Sequence, residues 1–210
     1  MILLVHGWGY DATIWDEVAD RLAGLPIRRI DLGFFGQVQT ELPRETCIGV
    51  GHSLGFLWLL RQALPICKAL VAVNAFSRFT ETADFQPGVA PRLLTRMRQQ
   101  FERQPAAVLD DFWQRCGAAG PTQPAETSRL SAGLSWLQDW DERDRLAAFD
   151  GPLSVIASQA DAIVSPAMTM RAFAGEDLLW HESAGHALPR QDPAWLAAQL
   201  RQIWDSAGHG

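Results

Sequence analysis

Residues 1–78 and 151–210 each contain two kinds of hydrophobic pattern, short apolar runs and segments with the period of a helix. Short apolar runs bounded by glycine or polar residues are typical of strands buried in a parallel sheet, and they occupy 2–5, 47–50, 69–73, 153–157 and 178–181. A further strand is predicted at 27–30, where two arginines stand between two isoleucines. Between them, apolar residues recur three and four positions apart, which predicts amphipathic helices at 11–25, 56–64, 165–173 and 193–204. Because strands and helices alternate, the predicted fold class is α/β, with a mostly parallel sheet of about six strands covered on both faces.

The alternation stops between residues 79 and 150, where the period is helical and five prolines interrupt it. A segment of this length is unlike the structureless loops of compact domains, which are short. We therefore predict a helical cap at 79–150, inserted into an α/β core formed by 1–78 and 151–210. Phe112 and Trp113 of this cap are candidates for the wall of a substrate pocket, and a place in the hydrophobic core is the alternative for each.

Two glycines flank a serine in Gly51-His52-Ser53-Leu54-Gly55, between a predicted strand and a predicted helix. In this setting the pattern G-x-S-x-G is typical of a nucleophile elbow, a sharp and strained turn that exposes the serine hydroxyl. Side chains in place of the glycines would collide with the neighbouring strand and helix. The sequence therefore predicts that Ser53 Oγ projects from the tip of the sheet as a nucleophile.

A serine hydroxyl is a weak nucleophile at neutral pH unless a nearby base, itself oriented by an acid, accepts its proton. Asp161 follows the predicted strand 153–157, and His186 follows the last predicted strand. The order Ser53, Asp161, His186 along the chain is that of serine hydrolases built on an open α/β sheet. We therefore predict that these three residues are catalytic.

Other histidines and acids could take the roles of base and acid, namely His6, His52, His181, His209, Asp150 and Asp177. Each has a structural interpretation. The first histidine precedes a glycine-rich turn that it can brace, the second packs beside the nucleophile within the elbow, the third lies inside a predicted strand and the fourth lies near the C-terminus. Both acids fall in predicted turns.

Two backbone N–H groups are predicted to stabilise the oxyanion that forms when a serine attacks a carbonyl. The N–H of Leu54 lies at the start of a helix and has no partner within that helix. The second comes from His6-Gly7-Trp8-Gly9, a turn at the carboxyl end of the first strand, where open α/β sheets bind ligands. Trp8 is the best candidate, both as oxyanion donor and as a substrate contact.

Net charge, cysteine content and the length of the apolar runs argue against several classes of protein. A net charge of -6 over 210 residues argues against a general nucleic-acid binder. Three widely spaced cysteines favour neither a disulfide framework nor a zinc site, so we expect a reducing cytoplasm, no metal and no cofactor. The start of the chain lacks the basic region of a signal peptide, and no apolar run approaches the ~20 residues of a membrane span.

The motifs together resemble the α/β-hydrolase superfamily over nearly the whole chain, and within it the pimeloyl-[acyl-carrier-protein] methyl ester esterases of biotin synthesis. The resemblance rests on residues 4–9, 12–15, 51–55, 79–91, 133–134 and 185–187. It implies a serine carboxylesterase that works through an acyl-enzyme, with Ser53 as nucleophile, Asp161 as acid, His186 as base, and Trp8 and Leu54 as the oxyanion hole. A general short-chain carboxylesterase or a thioesterase with the same triad is the alternative, and a binding protein that only keeps the fold is a second.

If the resemblance extends to the substrate, the acyl chain is carried on acyl carrier protein, an acidic partner. Residues 87–109 contain four arginines and a single acid on an otherwise acidic chain. Arg92 and Arg96 have a spacing that places them on one helix face. They are candidates for contacts with the carrier, and a solvated helix surface is the alternative interpretation.

Two departures from this superfamily are visible. Relatives usually have two further strands before the His-Gly turn, so we expect a sheet with fewer N-terminal strands. Many relatives also have a second glycine after the residue that corresponds to Gly55, where this chain has Phe56. We expect Phe56 to crowd the helix against its strand.

Overall fold

Six parallel strands form a single sheet in the order β2-β1-β3-β4-β5-β6. This is the arrangement in the computed structural model, which describes residues 1–208. The strands are β1 (Ile2–Val5), β2 (Ile27–Ile30), β3 (Cys47–His52), β4 (Cys67–Val73), β5 (Leu153–Ser158) and β6 (Leu178–His181). The predicted parallel sheet of about six strands is confirmed. β1 and β3 are buried along their whole length, as expected for strands with both faces covered.

Helices follow the strands and cover the sheet. In chain order they are α1 (Asp16–Arg21), α2 (Leu54–Gln62), α3 (Pro91–Arg103), α4 (Pro105–Cys116), α5 (Thr127–Asp139), α6 (Arg143–Ala147), α7 (Pro166–Ala172), α8 (Leu188–Gln191) and α9 (Pro193–Ser206). Two 3₁₀ helices, Ala12–Trp15 and Leu64–Ile66, complete the described part of the chain. α2 packs against β1, β3 and β4, whereas α1 packs against α9.

The first helical segment is shorter and less regular than the predicted helix 11–25. Asp11 accepts a hydrogen bond from the N–H of Thr13 and starts a 3₁₀ turn, which α1 continues only as far as Arg21. The chain then leaves the helix because Gly24 adopts a φ of 91°. The hydrophobic periodicity predicted which face of this helix is buried. It did not predict where the helix begins and ends, because those positions depend on local capping.

Residues 79–150 contain α3, α4, α5 and α6 and no strand of the sheet. α3 packs against both α4 and α5. Near Phe35 the segment pairs with the core through an isolated bridge to Ala125, and the N–H of Glu126 donates to Phe34 O at 2.8 Å. The division into a core and a cap at these boundaries stays a prediction.

All strands run in the same direction, so their carboxyl ends share one edge of the sheet. Ser53 follows β3, Asn74 follows β4, and the loops after β5 and β6 carry Asp161 and His186. The longest described helix, α9, has 14 residues, too few to cross a membrane. His209 lies outside the described residues.

Candidate active site

Ser53 occupies the sharp turn between β3 and α2. Its backbone has φ 54° and ψ -125°, a conformation that a non-glycine residue adopts only where surrounding structure holds it. The side chain is 5% exposed. The strained turn predicted from the G-x-S-x-G pattern is therefore present at this position.

Three glycines make room for this turn. A Cβ atom at Gly51 would lie 2.3 Å from the Cα of Phe56, and one at Gly55 would lie 2.4 Å from the carbonyl oxygen of Val5. A Cβ at Gly7 would lie 2.8 Å from the Cβ of Ser53. The crowding expected at Phe56 is accommodated because Gly51 presents no side chain to it. The Phe56 ring is buried and packs edge-on against Phe173.

Asp161 and His186 are in direct contact. The Nδ1 atom of His186 lies 2.8 Å from Asp161 Oδ2, and both side chains are 1% exposed. The other carboxylate oxygen accepts the N–H groups of Ile163 and Val164, each at 2.8 Å. Since a carboxylate can only accept, Nδ1 carries a proton, and the lone pair of the neutral imidazole is at Nε2. This is the tautomer that a general base requires.

The Nε2 atom of His186 is buried and has no hydrogen-bond partner within residues 1–208. Phe112 packs edge-on against the imidazole with ring centroids 6.3 Å apart, and it lines the same cavity as Ser53. A hydrogen bond from nucleophile to base often forms only when substrate is bound. The lone pair of Nε2 is therefore not engaged by any other described residue.

The two candidate oxyanion donors lie on either side of this turn. Leu54 is the first residue of α2, and Trp8 lies in the turn after β1. Neither backbone N–H donates a hydrogen bond to another described residue. The indole of Trp8 is held by a bond from Nε1 to Leu130 O at 2.8 Å and by edge-on contact with Phe112. A fixed ring keeps the backbone of this turn in place.

Two of the competing histidines have structural roles. His6 Nε2 accepts the N–H of Leu32 at 2.9 Å and braces the turn that follows β1. His181 Nδ1 accepts the N–H of Ala184 at 2.9 Å, and its Nε2 lies 3.2 Å from Asp192 Oδ2. His181 therefore shapes the loop that leads to His186.

A cavity of about 860 Å³ opens above Ser53, beneath α3 and α4. Its inner wall is largely apolar and includes Trp8, Phe79, Leu94, Met97, Val108, Phe112, Leu137 and Ile163. Arg96, Arg103 and Arg115 also line it, together with the single acid Asp111. A cavity of this size and character is suited to a small molecule with a long apolar part.

The predicted substrate contacts divide into two groups. Trp8, Phe112 and Arg96 line the cavity, whereas Trp113 and Arg92 do not. The indole of Trp113 instead donates to Gly9 O at 2.7 Å, so it joins α4 to the turn after β1. Arg92 is exposed on α3, one turn before Arg96.

Two residues that hold the loop carrying His186 were not predicted from the sequence. Asn74 donates through Nδ2 to the carbonyl oxygens of Gly185 and His186, at 3.0 and 2.9 Å. Gln191 accepts the N–H of Gly185 at 2.6 Å and donates to Gly117 O at 3.1 Å, which joins this loop to the end of α4. The position of Asn74 directly after a buried strand was the available signal, because it falls at the same sheet edge as the triad.

No group of three or more His, Cys, Asp or Glu side chains in the described part of the chain is placed to hold a metal ion.

A parallel sheet whose strand-end loops carry, in order, a serine elbow, an acid and a histidine defines the class of protein. The chain belongs to the Alpha/beta hydrolase family, which matches residues 2–199. It is similar to an esterase from Exiguobacterium antarcticum, with a TM-score of 0.81, 15% identity and coverage of 97% of this chain and 91% of that one. The predicted fold class and superfamily are confirmed.

Relatives in sequence are found among proteins of biotin synthesis. The chain is 28% identical to the pimeloyl-[acyl-carrier protein] methyl ester esterase of Aeromonas salmonicida, over 79% of each protein, and 26% identical to that of Cronobacter sakazakii, over 78% of this chain and 75% of the relative. It is also 24% identical to the biotin biosynthesis bifunctional protein BioHC of Cellvibrio japonicus, over 98% of this chain. The chain spans about half the length of that bifunctional protein, 48%.

Proposed function

We propose that this protein is a serine carboxylesterase that hydrolyses the methyl ester of a pimeloyl chain carried on acyl carrier protein. The observation that carries the proposal is the contact between Asp161 and His186 at 2.8 Å, at the sheet edge where the strained elbow presents Ser53 to an apolar cavity. The relatives named as pimeloyl-[acyl-carrier protein] methyl ester esterases support the substrate. The three free cysteines favour the reducing cytoplasm as its location.

The reaction proceeds in two steps. Ser53 Oγ attacks the ester carbonyl while His186 Nε2 takes its proton, and the N–H groups of Trp8 and Leu54 stabilise the tetrahedral oxyanion. His186 then gives the proton to the departing methoxide, which leaves as methanol. Water, deprotonated by the same imidazole, then attacks the acyl-enzyme. The bond between the acyl carbon and Ser53 Oγ breaks as the imidazole returns the proton to Oγ, and the acid is released. Asp161 holds the imidazole in the required tautomer throughout.

The cavity fits an acyl chain with a polar group at its outer end. Five methylenes buried against the apolar wall would contribute roughly 4 kcal/mol. The methyl ester reaches Ser53, and the thioester to the carrier lies towards the mouth, where the arginines are. Discrimination against one extra methylene in an apolar pocket is only about 10- to 200-fold. Short simple esters are therefore expected as slower substrates.

The basic surface of α3 supports an acidic carrier as partner. Arg92, Arg96 and Arg103 are exposed on this helix, and none of them forms an ion pair with another described residue. Unpaired guanidinium groups at the mouth of a cavity attract and orient an acidic protein. Carrier recognition by Arg92 and Arg96 is part of the proposal.

Turnover of three substrates tests the function. Purified protein is given the pimeloyl methyl ester on carrier protein, the same ester free in solution, and an acyl thioester on carrier protein, with mass spectrometry of the products. Loss of the methyl group from the first, at a kcat/KM far above that of the free ester, supports the proposal. Equal use of both esters identifies a general short-chain carboxylesterase, and release of the free carrier thiol identifies a thioesterase.

Growth of a biotin auxotroph that lacks its own esterase is the test in cells. Rescue by the wild-type gene, and no rescue by Ser53→Ala expressed at the same level, is the expected result. Failure of the wild-type protein to rescue, although it hydrolyses simple esters, would contradict the biotin assignment and leave the esterase activity standing.

A further inference from the structure

The backbone carbonyl of His186 is enclosed by two side chains from neighbouring strands. His52 Nε2 lies 2.9 Å from His186 O, and Asn74 Nδ2 lies 2.9 Å from the same oxygen. His52 and Asn74 are 0% and 1% exposed. The base of the triad is therefore fixed through its main chain, in addition to the contact of its ring with Asp161.

The hydrogen-bonding chemistry assigns both side chains as donors. A carbonyl oxygen can only accept, so His52 is the tautomer with its proton on Nε2, and the amide nitrogen of Asn74 faces the oxygen. The Nδ1 atom of His52 is buried and has no hydrogen-bond partner among residues 1–208. Burial, and then the neighbouring imidazole of His186, lower the pKa of His52 well below its ordinary value. His52 therefore stays neutral while His186 takes up a proton.

Asn74 is the side chain that this position requires. Its φ of 45° lies in the left-handed region, which asparagine tolerates better than most residues. The two hydrogens on its Nδ2 atom are shared among three acceptors, namely His186 O, Gly185 O at 3.0 Å and Ser158 Oγ at 3.1 Å. Glycine would adopt the backbone but lacks the donor, and aspartate has the shape but would place negative charge against two carbonyl oxygens.

The same amide links the loops of the acid and of the base. Ser158 is the last residue of β5, and its carbonyl accepts the N–H of Asp161 at 3.3 Å. Asn74 thus contacts the start of the Asp161 loop and the backbone of His186 from one position at the end of β4. Neither His52 nor Asn74 lines the cavity.

We propose that His52 and Asn74 are positioning residues that hold the carbonyl of His186 and so set the imidazole between Asp161 and Ser53. This inference rests on the proposed function of the triad. Displacement of a catalytic group by about 1 Å costs on the order of 10²-fold in rate. Because neither residue contacts substrate, loss of a donor lowers kcat and leaves KM nearly unchanged.

Two pairs of variants test the proposal. His52→Leu removes the donor, whereas His52→Gln returns an N–H group close to the position of Nε2. Asn74→Gly keeps the left-handed backbone without the amide, and Asn74→Asp keeps the shape without the donor. Thr169→Ala, a buried polar residue of α7, is the matched control. The measurements are kcat and KM for a p-nitrophenyl ester, the rate of labelling by a fluorophosphonate, and the thermal unfolding midpoint.

The expected result is a fall of about 10²-fold in kcat and labelling rate for His52→Leu and Asn74→Gly, with KM within about twofold. His52→Gln is expected to recover most of the loss, and Thr169→Ala to behave as wild type. Asn74→Asp is expected to lose as much kcat as Asn74→Gly. If a His52 variant does not fold, the fall in kcat at unchanged KM in both Asn74 variants decides; if an Asn74 variant does not fold, the His52 pair decides. Folded variants with wild-type kcat, or a loss that glutamine does not recover, would overturn the positioning role.

A wild-type protein that the fluorophosphonate does not label would instead overturn the proposed function, and the inference with it.

Discussion

The buried carboxylate of Glu142, directly before α6, binds the guanidinium of Arg61 on α2, with 2.5 Å between Oε1 and Nη1. Arg145 contacts the other carboxylate oxygen at 2.9 Å. Glu142 is 1% exposed, and its N–H donates to Ser77 O at 2.9 Å. These contacts join α2, which begins directly after Ser53, to the start of α6.

Glu142→Leu is expected to destabilise the protein by about 1 kcal/mol, because it removes two ion pairs whose guanidinium groups are partly exposed and are solvated once the carboxylate is gone. Urea unfolding at neutral pH measures the change. Glu176→Leu, at an exposed turn, is the control and is expected to change stability by less than about 0.5 kcal/mol. Equal effects of the two substitutions would contradict a structural role for this ion pair.

Ser53→Ala is expected to lower kcat by roughly five to six orders of magnitude, since a triad without its nucleophile retains only the contribution of binding and the oxyanion hole. The fold should be unaffected. Single-turnover hydrolysis and fluorophosphonate labelling measure the loss, and circular dichroism checks the fold. A variant that hydrolyses ester at the wild-type rate would eliminate the acyl-enzyme mechanism.

Gly55→Ala is expected to cost more than about 3 kcal/mol of stability, because its methyl group would lie within 2.6 Å of two backbone oxygens, those of Val5 and His6. Gly175→Ala provides the comparison. Unlike Gly55, Gly175 has a positive φ, 95°, and it faces open space, so only backbone strain of about 1 kcal/mol is expected. Thermal unfolding of both variants separates steric collision from conformational strain, and similar midpoints would argue against close approach of α2 and β1.

Asp141 should give the protein an acid-sensitive contribution to stability. Hydrogen bonds from Arg143 and then Arg78 lower the pKa of Asp141 to about 2 from its ordinary value of 3.8. Because the folded-state pKa is depressed, this stabilisation is complete above about pH 4 and disappears as the pH falls through about 2. Because solvent screens this partly exposed ion pair, Asp141→Asn should lower the free energy of unfolding by about 1 kcal/mol at pH 7. Chemical unfolding of both proteins between pH 7 and about pH 2 should show this difference shrinking, and a constant difference would contradict the assignment.

Arg96→Glu should weaken the use of carrier-bound substrate by about tenfold in kcat/KM through reversal of a charge at the cavity mouth. Raising the salt concentration should reduce wild-type kcat/KM for the same substrate, because exposed charges are screened. Hydrolysis of an uncharged p-nitrophenyl ester should change little. Arg201→Glu, on α9, is the matched charge reversal away from the cavity. Indifference to both salt and the Arg96 substitution would dismiss carrier recognition by this helix.

Most strands were predicted from the sequence to within two residues at each end because they are continuous apolar runs. β2 was predicted as well, although it contains two arginines and is only partly buried. The ends of the helix at 11–25 were not predicted, since they depend on the Asp11 cap and on Gly24, which periodicity does not report. The aromatic residues of the cap were harder still. Phe112 and Trp113 are adjacent in sequence, yet one lines the cavity and the other bonds to Gly9, a choice set by the direction in which α4 presents each side chain.

The sequence alone determined the parallel sheet, the elbow at Ser53 and the chain positions of Asp161 and His186. Each of these features depends on the spacing of residues that are close together in the chain. Only the tertiary structure decided that Asn74 and His52 would meet the carbonyl of His186. Those contacts join residues more than 100 positions apart in the chain, and their existence depends on which strands become neighbours and on the angle at which each loop leaves the sheet.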